Sequence, residues 1–233
     1  MIYSFTWNGT NCRTKGVRLR SMPEVIRPEE RVNHIIIPGR AGELTQTEGD
    51  DIYNSYIQTI PIAVDSAANV SAVEKWLRGD GYVTFSGQPT LKQKARVINA
   101  VTFTKHGRNS SWWDGEVQFY CNPLKEATTE TSVEVTSSGT TVSNPGDVVS
   151  RPLITITGSG NVTVRIGEKS LSITGAASGW KIDSDLEWVT NGSGTPQMGV
   201  YTGEFPTFAP GNNTVAFTGS VTKLTIEGRW RYL

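Results

Sequence analysis

The feature that most constrains folding in this chain is a change of texture near residue 125. Before it the sequence is mixed, loop-rich and aromatic; after it come Thr, Ser, Val and Gly in short runs that alternate apolar with polar. Alternation with a period of two lines one face of a strand with apolar side chains, so the second half reads as an antiparallel sandwich of about seven or more half-buried strands. At 233 residues the chain has room for two such units, each large enough to bury a core. A hydrophobic content of 36% with 19% charged residues is low for a helical enzyme and ordinary for a β-rich protein.

Charge is balanced within and between the halves. Residues 1–125 hold 15 Lys and Arg against 12 Asp and Glu (+3), and residues 126–233 hold 7 against 10 (−3), which cancel. Neither half has the basic excess of a nucleic-acid surface. The one local excess is Arg13, Lys15, Arg18 and Arg20, with no acid before Glu24. It reads either as a solvated strand face with Glu24, Glu29 and Glu30 as counter-charges, or as a contact with an acidic partner subunit. Cys12 and Cys121 are too few for a disulfide scaffold or zinc cluster and are expected to be reduced thiols. The opening residues lack a signal-peptide pattern and no window approaches the length of an apolar membrane span, so synthesis and folding in a cytoplasm are expected.

The first half reads as α+β, mostly sheet with one helix. A first strand is predicted over Ile2–Trp7 with Tyr3, Phe5 and Trp7 facing a core, ending at the tight turn Asn8-Gly9. A second strand covers Gly16–Ser21, and Pro23 and Pro28 keep the next stretch extended. The apolar-rich Arg31–Ile37 ends at Pro38-Gly39-Arg40-Ala41-Gly42, which lacks the Lys-Ser/Thr of a phosphate loop. The helix is predicted over Asn69–Arg78, with a capping box at Ser71 and Glu74, an apolar stripe of Val70, Val73, Trp76 and Leu77, and Gly79 as its left-handed terminator. Strands are predicted at Tyr56–Val64, Gly81–Ser86, Ala95–Thr104 and Glu116–Tyr120, with a polar loop over Lys105–Ser111. The Thr/Ser/Glu-rich residues 125–148 carry only scattered Val and are expected as a linker or edge strand. The expected domains are therefore 1–124 and 149–233.

Catalytic chemistry finds little support. His34 and His106 are the only histidines, and neither a G-x-S-x-G elbow nor an H-E-x-x-H helix is present. Asp183, Asp185 and Glu187 would share a face on one continuous strand and raise a pKa or attract a cation, but a turn at Ser184-Asp185 would scatter them. They read as a solvent face or turn, with a metal site or a catalytic carboxylate pair as alternatives. Trp180, Trp188 and Trp230 are expected at core or rim positions, whereas adjacent Trp112 and Trp113 must point to opposite sides of a strand, which makes one of them an interface candidate.

Four segments together resemble the distal tail protein family of long, flexible-tailed bacteriophages. They are the opening strand with Phe5 and Asn8-Gly9, the Pro38–Leu44 turn followed by Asp51-Ile-Tyr53, the strand Val117–Leu124, and a final portion with Arg151-Pro-Leu-Ile154, Ile182-Asp183, Phe205-Pro206, Pro210-Gly-Asn-Asn213 and Arg229-Trp230. The resemblance implies a split-barrel-like N-terminal domain that closes into a six-membered ring and a galectin-like C-terminal β-sandwich. It implies a non-enzymatic virion hub, assembled in the host cytoplasm, with no cofactor, metal or membrane insertion. Its partners would be its own copies, the tail tube protein, a tail-tip protein and receptor-binding components. Candidate contact residues are Gly39, Arg40, Arg18, Arg20, Trp112 and Trp113. The galectin likeness is one of fold only, since no His-x-Asn-x-Arg run is present. The competing readings are a module whose C-terminal sandwich binds cell-wall polysaccharide directly, and a glycosidase using Asp183 and Glu187.

Overall fold

Strand-forming residues dominate wherever the computed structural model describes the chain, which is residues 3–47, 49 and 51–233. The fold is mainly β with one α-helix among the described residues, as the sequence predicts. Two units, Met1–Thr128 with Leu233 and Thr129–Tyr232, each enclose a core of their own.

In the first unit the strands are β1 (Phe5–Trp7), β2 (Thr10–Asn11), β3 (Val17–Leu19), β4 (Val32–Ile36), β5 (Glu43–Thr47), β6 (Tyr56–Val64), β7 (Asp80–Phe85), β8 (Leu91–Val97), β9 (Phe103–Lys105) and β10 (Trp113–Ala127). The main sheet runs β2-β1-β7-β8-β10-β6-β3, with β9 also on β10, while β4 and β5 pair only with each other. The Asn8-Gly9 turn forms as predicted, both residues having positive φ (47° and 77°) as the tight hairpin requires. Phe5 and Trp7 are fully buried and Tyr3 is exposed; Ile2, the start of the predicted strand, lies outside the described residues. Phe119 on β10 gathers the core, with Phe5, Trp7 and Phe85 around it at ring separations of 5.6, 5.2 and 6.4 Å. Cys12 and Cys121 are buried thiols; burial pushes Cys121 up to about 12, against the pull of Lys125, so it stays protonated and unreactive.

Helix α1 (Ala67–Trp76) lays Val70, Val73, Trp76 and Leu77 on this core, and Trp76 stacks on Phe5 at 5.7 Å. Its N-terminus differs from the sequence reading. Ser66 occupies the N-cap, and Ser71 and Glu74 fall inside the helix, because Ala67 and Ala68 extend it backwards by two residues. Gly79 does take the left-handed conformation just beyond its end (φ 75°). The single strand expected over Ala95–Thr104 is instead the end of β8, a break, and β9. Asn99 makes the break: its side chain donates to the Glu116 carbonyl and accepts from the Gln118 N–H, both at 2.8 Å, replacing backbone pairing with side-chain bonds.

The second unit comprises β11 (Val133–Val135), β12 (Thr140–Asn144), β13 (Leu153–Ile166), β14 (Lys169–Ala176), β15 (Lys181–Asp183), β16 (Trp188–Thr190), β17 (Tyr201–Gly203) and β18 (Gly211–Glu227). The short alternating runs at 153–156 and 162–166, and those at 214–218 and 224–231, read as four strands in the sequence. They belong, the last as far as Glu227, to the two long strands β13 and β18, which pair along most of their length. Register shifts near Gly158 and Gly219 divide each long strand into halves with different outer neighbours. The first half of β13 pairs with β15 and the second half with β14, so the long strand changes neighbours along its length within one eight-stranded sheet. Gly158 is required at the register shift, because a Cβ there would stand 2.3 Å from the Ser220 carbonyl oxygen. The core of this unit takes Ile154 and Ile156 from one half of β13 and Val162, Val164 and Ile166 from the other. The Thr/Ser-rich residues after Lys125 bury more than their composition suggests: Val135, Val142 and Val148 are all inside.

Candidate assembly surface

β3, β6, β10 and β9 lie side by side, so Arg18, Ala63, Asp114 and Thr104 form one row across the sheet. The opposite parity carries Val17, Val64 and Trp113 into the core. Trp112 therefore faces outward, and the Arg18 guanidinium sits 5.1 Å from its ring centre. Arg20 forms an ion pair with Asp114, and His106 Nδ1 lies 2.5 Å from the other Asp114 oxygen and 3.1 Å from Arg20. The loop Lys105–Trp112 is closed by the His106 N–H on the Trp112 carbonyl at 2.9 Å. Gly115, next to Asp114, has no room for a side chain, because the Phe103 ring would lie 2.7 Å from a Cβ.

Three of the six sequence-nominated residues thus meet on one face, Arg18, Arg20 and Trp112, while Trp113 lies on the opposite, core-facing side. The expected split of the tryptophans occurs, but both remain half-buried, since Arg18 covers Trp112 and the core receives Trp113. Sequence reasoning missed Asp114 and His106 as members of the cluster. Their only sequence signal was a lone acid and a lone histidine bracketing the tryptophans.

Gly39 and Arg40 lie elsewhere, at the tip of the β4–β5 hairpin, where Gly39 supplies a positive φ of 81°. Nearly every residue of this hairpin is exposed, including Ile35, Ile36 (74% exposed) and Leu44. β5 was not anticipated, although Leu44-Thr-Gln-Thr47 has strand-forming residues. His34, one of the two histidines, pairs across the hairpin with Glu43 at 3.2 Å.

The acidic series in the second unit is not a ladder. Residues 184–187 form the turn between β15 and β16, Glu187 has φ 54°, and Asp183 alone turns inward to Arg229. No group of three or more metal-binding side chains occurs among the described residues. Parity beyond that turn also differs from the sequence reading: Ile182 and Val189 face the core, whereas Leu186 and Trp188 are exposed. Trp180 packs at the core margin and buried Trp230 lies edge-on to Phe208 at 5.3 Å.

No protein-family model and no curated protein matches the chain. Among solved structures, the Dit protein (gp 19.1) of SPP1, described as a paradigm of the hub adsorption apparatus in phages infecting Gram-positive bacteria, superposes with a TM-score of 0.77. The match covers 100% of both chains at 18% sequence identity. The chain has the Dit fold. This is the fold implied by the resemblance to distal tail proteins, reached independently of the short motifs that suggested it. A second match, the baseplate of phage p2 in its activated conformation with Sr, has a TM-score of 0.47 at 8% identity, over 97% of this chain and 98% of that one.

Proposed function

We propose that this chain is a structural virion protein: a hub at the distal end of a phage tail. In this reading six copies close into a ring that joins the tail tube to tail-tip and receptor-binding proteins. The end-to-end likeness to SPP1 Dit is the observation that carries it, because both units, and not one shared module, follow the same course. The physics of the first unit supports it. A two-stranded hairpin is marginal alone in water, and one presenting Ile35, Ile36 and Leu44 to solvent gains stability when a neighbour covers it. A ring supplies that neighbour by using one heterologous contact on every copy. The near-neutral charge, split as +3 and −3, suits a chain that meets its own copies rather than nucleic acid.

The exposed cluster of Arg18, Arg20, Trp112, Asp114 and His106 serves as a second contact patch, since Trp and Arg are favoured anchors in protein interfaces. No step of this function requires catalysis. Antibody labelling of virions carrying the chain tests the role directly: gold is expected at the tail tip alone, and label along the tube or on the capsid would contradict it.

A further inference from the structure

The second unit contains a cavity of about 370 Å³ whose walls belong to none of the contacts described above. Arg151 and Lys169 line it together with Glu187 and Glu204, and Phe205 and Ser184 complete the wall. None of these four charged side chains has an ion pair among the described residues, although the cavity is lined by both signs. Ser184 is 2% exposed, and its buried hydroxyl has no hydrogen-bond partner. An unpaired buried hydroxyl is costly unless something that enters the site satisfies it.

The frame around the cavity is fixed before any ligand arrives. The Asp183 carboxylate accepts the Asp185 and Leu186 N–H groups at 3.0 and 3.2 Å, which holds the turn that presents Ser184 and Glu187. The Glu204 N–H donates to the Ser170 carbonyl at 2.9 Å, and the Phe205 ring is braced edge-on by Tyr201 at 5.4 Å. Two cations and two carboxylates cancel, so the site selects neither an anion nor a cation. It offers donors and acceptors in equal supply beside a half-buried aromatic ring, at a volume within the range of small-molecule sites.

We infer that this cavity is a binding site for a neutral saccharide. Sugar hydroxyls donate and accept together, matching the acceptors Glu187 and Glu204 and the donors Arg151 and Lys169, while an apolar ring face packs on Phe205. Ser184 gains the partner it lacks. The site does not depend on ring formation, so its failure would leave the hub reading untouched.

Saturation-transfer NMR on the full chain, with methyl glucoside, methyl galactoside and N-acetylglucosamine as probes and glucosamine and glucose 6-phosphate as charged comparators, tests it. At least one neutral sugar is expected to bind with a Kd of about 1 mM, as befits a single ring. Lys169→Met and Glu204→Gln, both at exposed positions that leave the fold intact, are each expected to weaken that binding about tenfold. Three results would overturn the inference: no transfer to any neutral sugar at concentrations about tenfold above that Kd, binding of the charged comparators only, or neutral-sugar binding that neither substitution weakens.

Discussion

Asp183 shows how one side chain can be mistaken for chemistry when it is structure. Arg229 grips both its oxygens, at 2.8 and 2.9 Å, and two backbone N–H groups complete its shell. Burial alone would raise its pKa, but the Arg229 bonds and charge and the two backbone donors outweigh burial, and the group ends below its ordinary 3.8. A carboxyl depressed in this way adds stability in full above its unfolded value and loses it as pH falls through the lower folded one. Asp183→Asn is therefore expected to cost about 1–3 kcal/mol at pH 7 in chemical denaturation. The gap from wild type should hold down to about pH 4 and close only below it. A gap that persists unchanged to pH 2 would mean the residue acts through packing rather than charge.

At the scale of elements, the β4–β5 hairpin is the part of the first unit least able to justify itself in isolation. Ile36 is 74% exposed, so Ile36→Asp leaves the isolated subunit's stability within about 0.5 kcal/mol. If a neighbour covers the hairpin, the same change buries an unpaired charge, which costs several kcal/mol and shifts the assembly equilibrium by more than about tenfold. Sedimentation of the variant beside wild type separates the two; equal assembly in both would place the contact elsewhere.

The elements differ in how plainly the sequence announced them. Helix α1 was legible through its Val70, Val73, Trp76 and Leu77 stripe, but its start was not, since the Ser71–Glu74 spacing competed with two helix-forming alanines. β13 and β18 read as four short strands because Gly158 and Gly219 look like turn residues locally. Only the close pairing of the two long strands shows these glycines to mark register shifts. Of the cluster on the outer face, Arg18, Arg20 and Trp112 were legible one by one. Their meeting with Asp114 and His106 depends on sheet register, which no local pattern encodes. The cavity of the second unit was invisible for the same reason, being built from four separate stretches of chain.

At the scale of the whole molecule, the chain is two β-rich units with separate cores and a net charge of zero. The account stands on closure of identical copies through the first unit. Analytical ultracentrifugation of the purified full-length protein, across a hundredfold range of concentration, measures that closure directly. Six copies of a 25.4 kDa chain, about 152 kDa, are expected to appear as a discrete species that grows with concentration. A single 25.4 kDa species across the whole range would contradict the central claim.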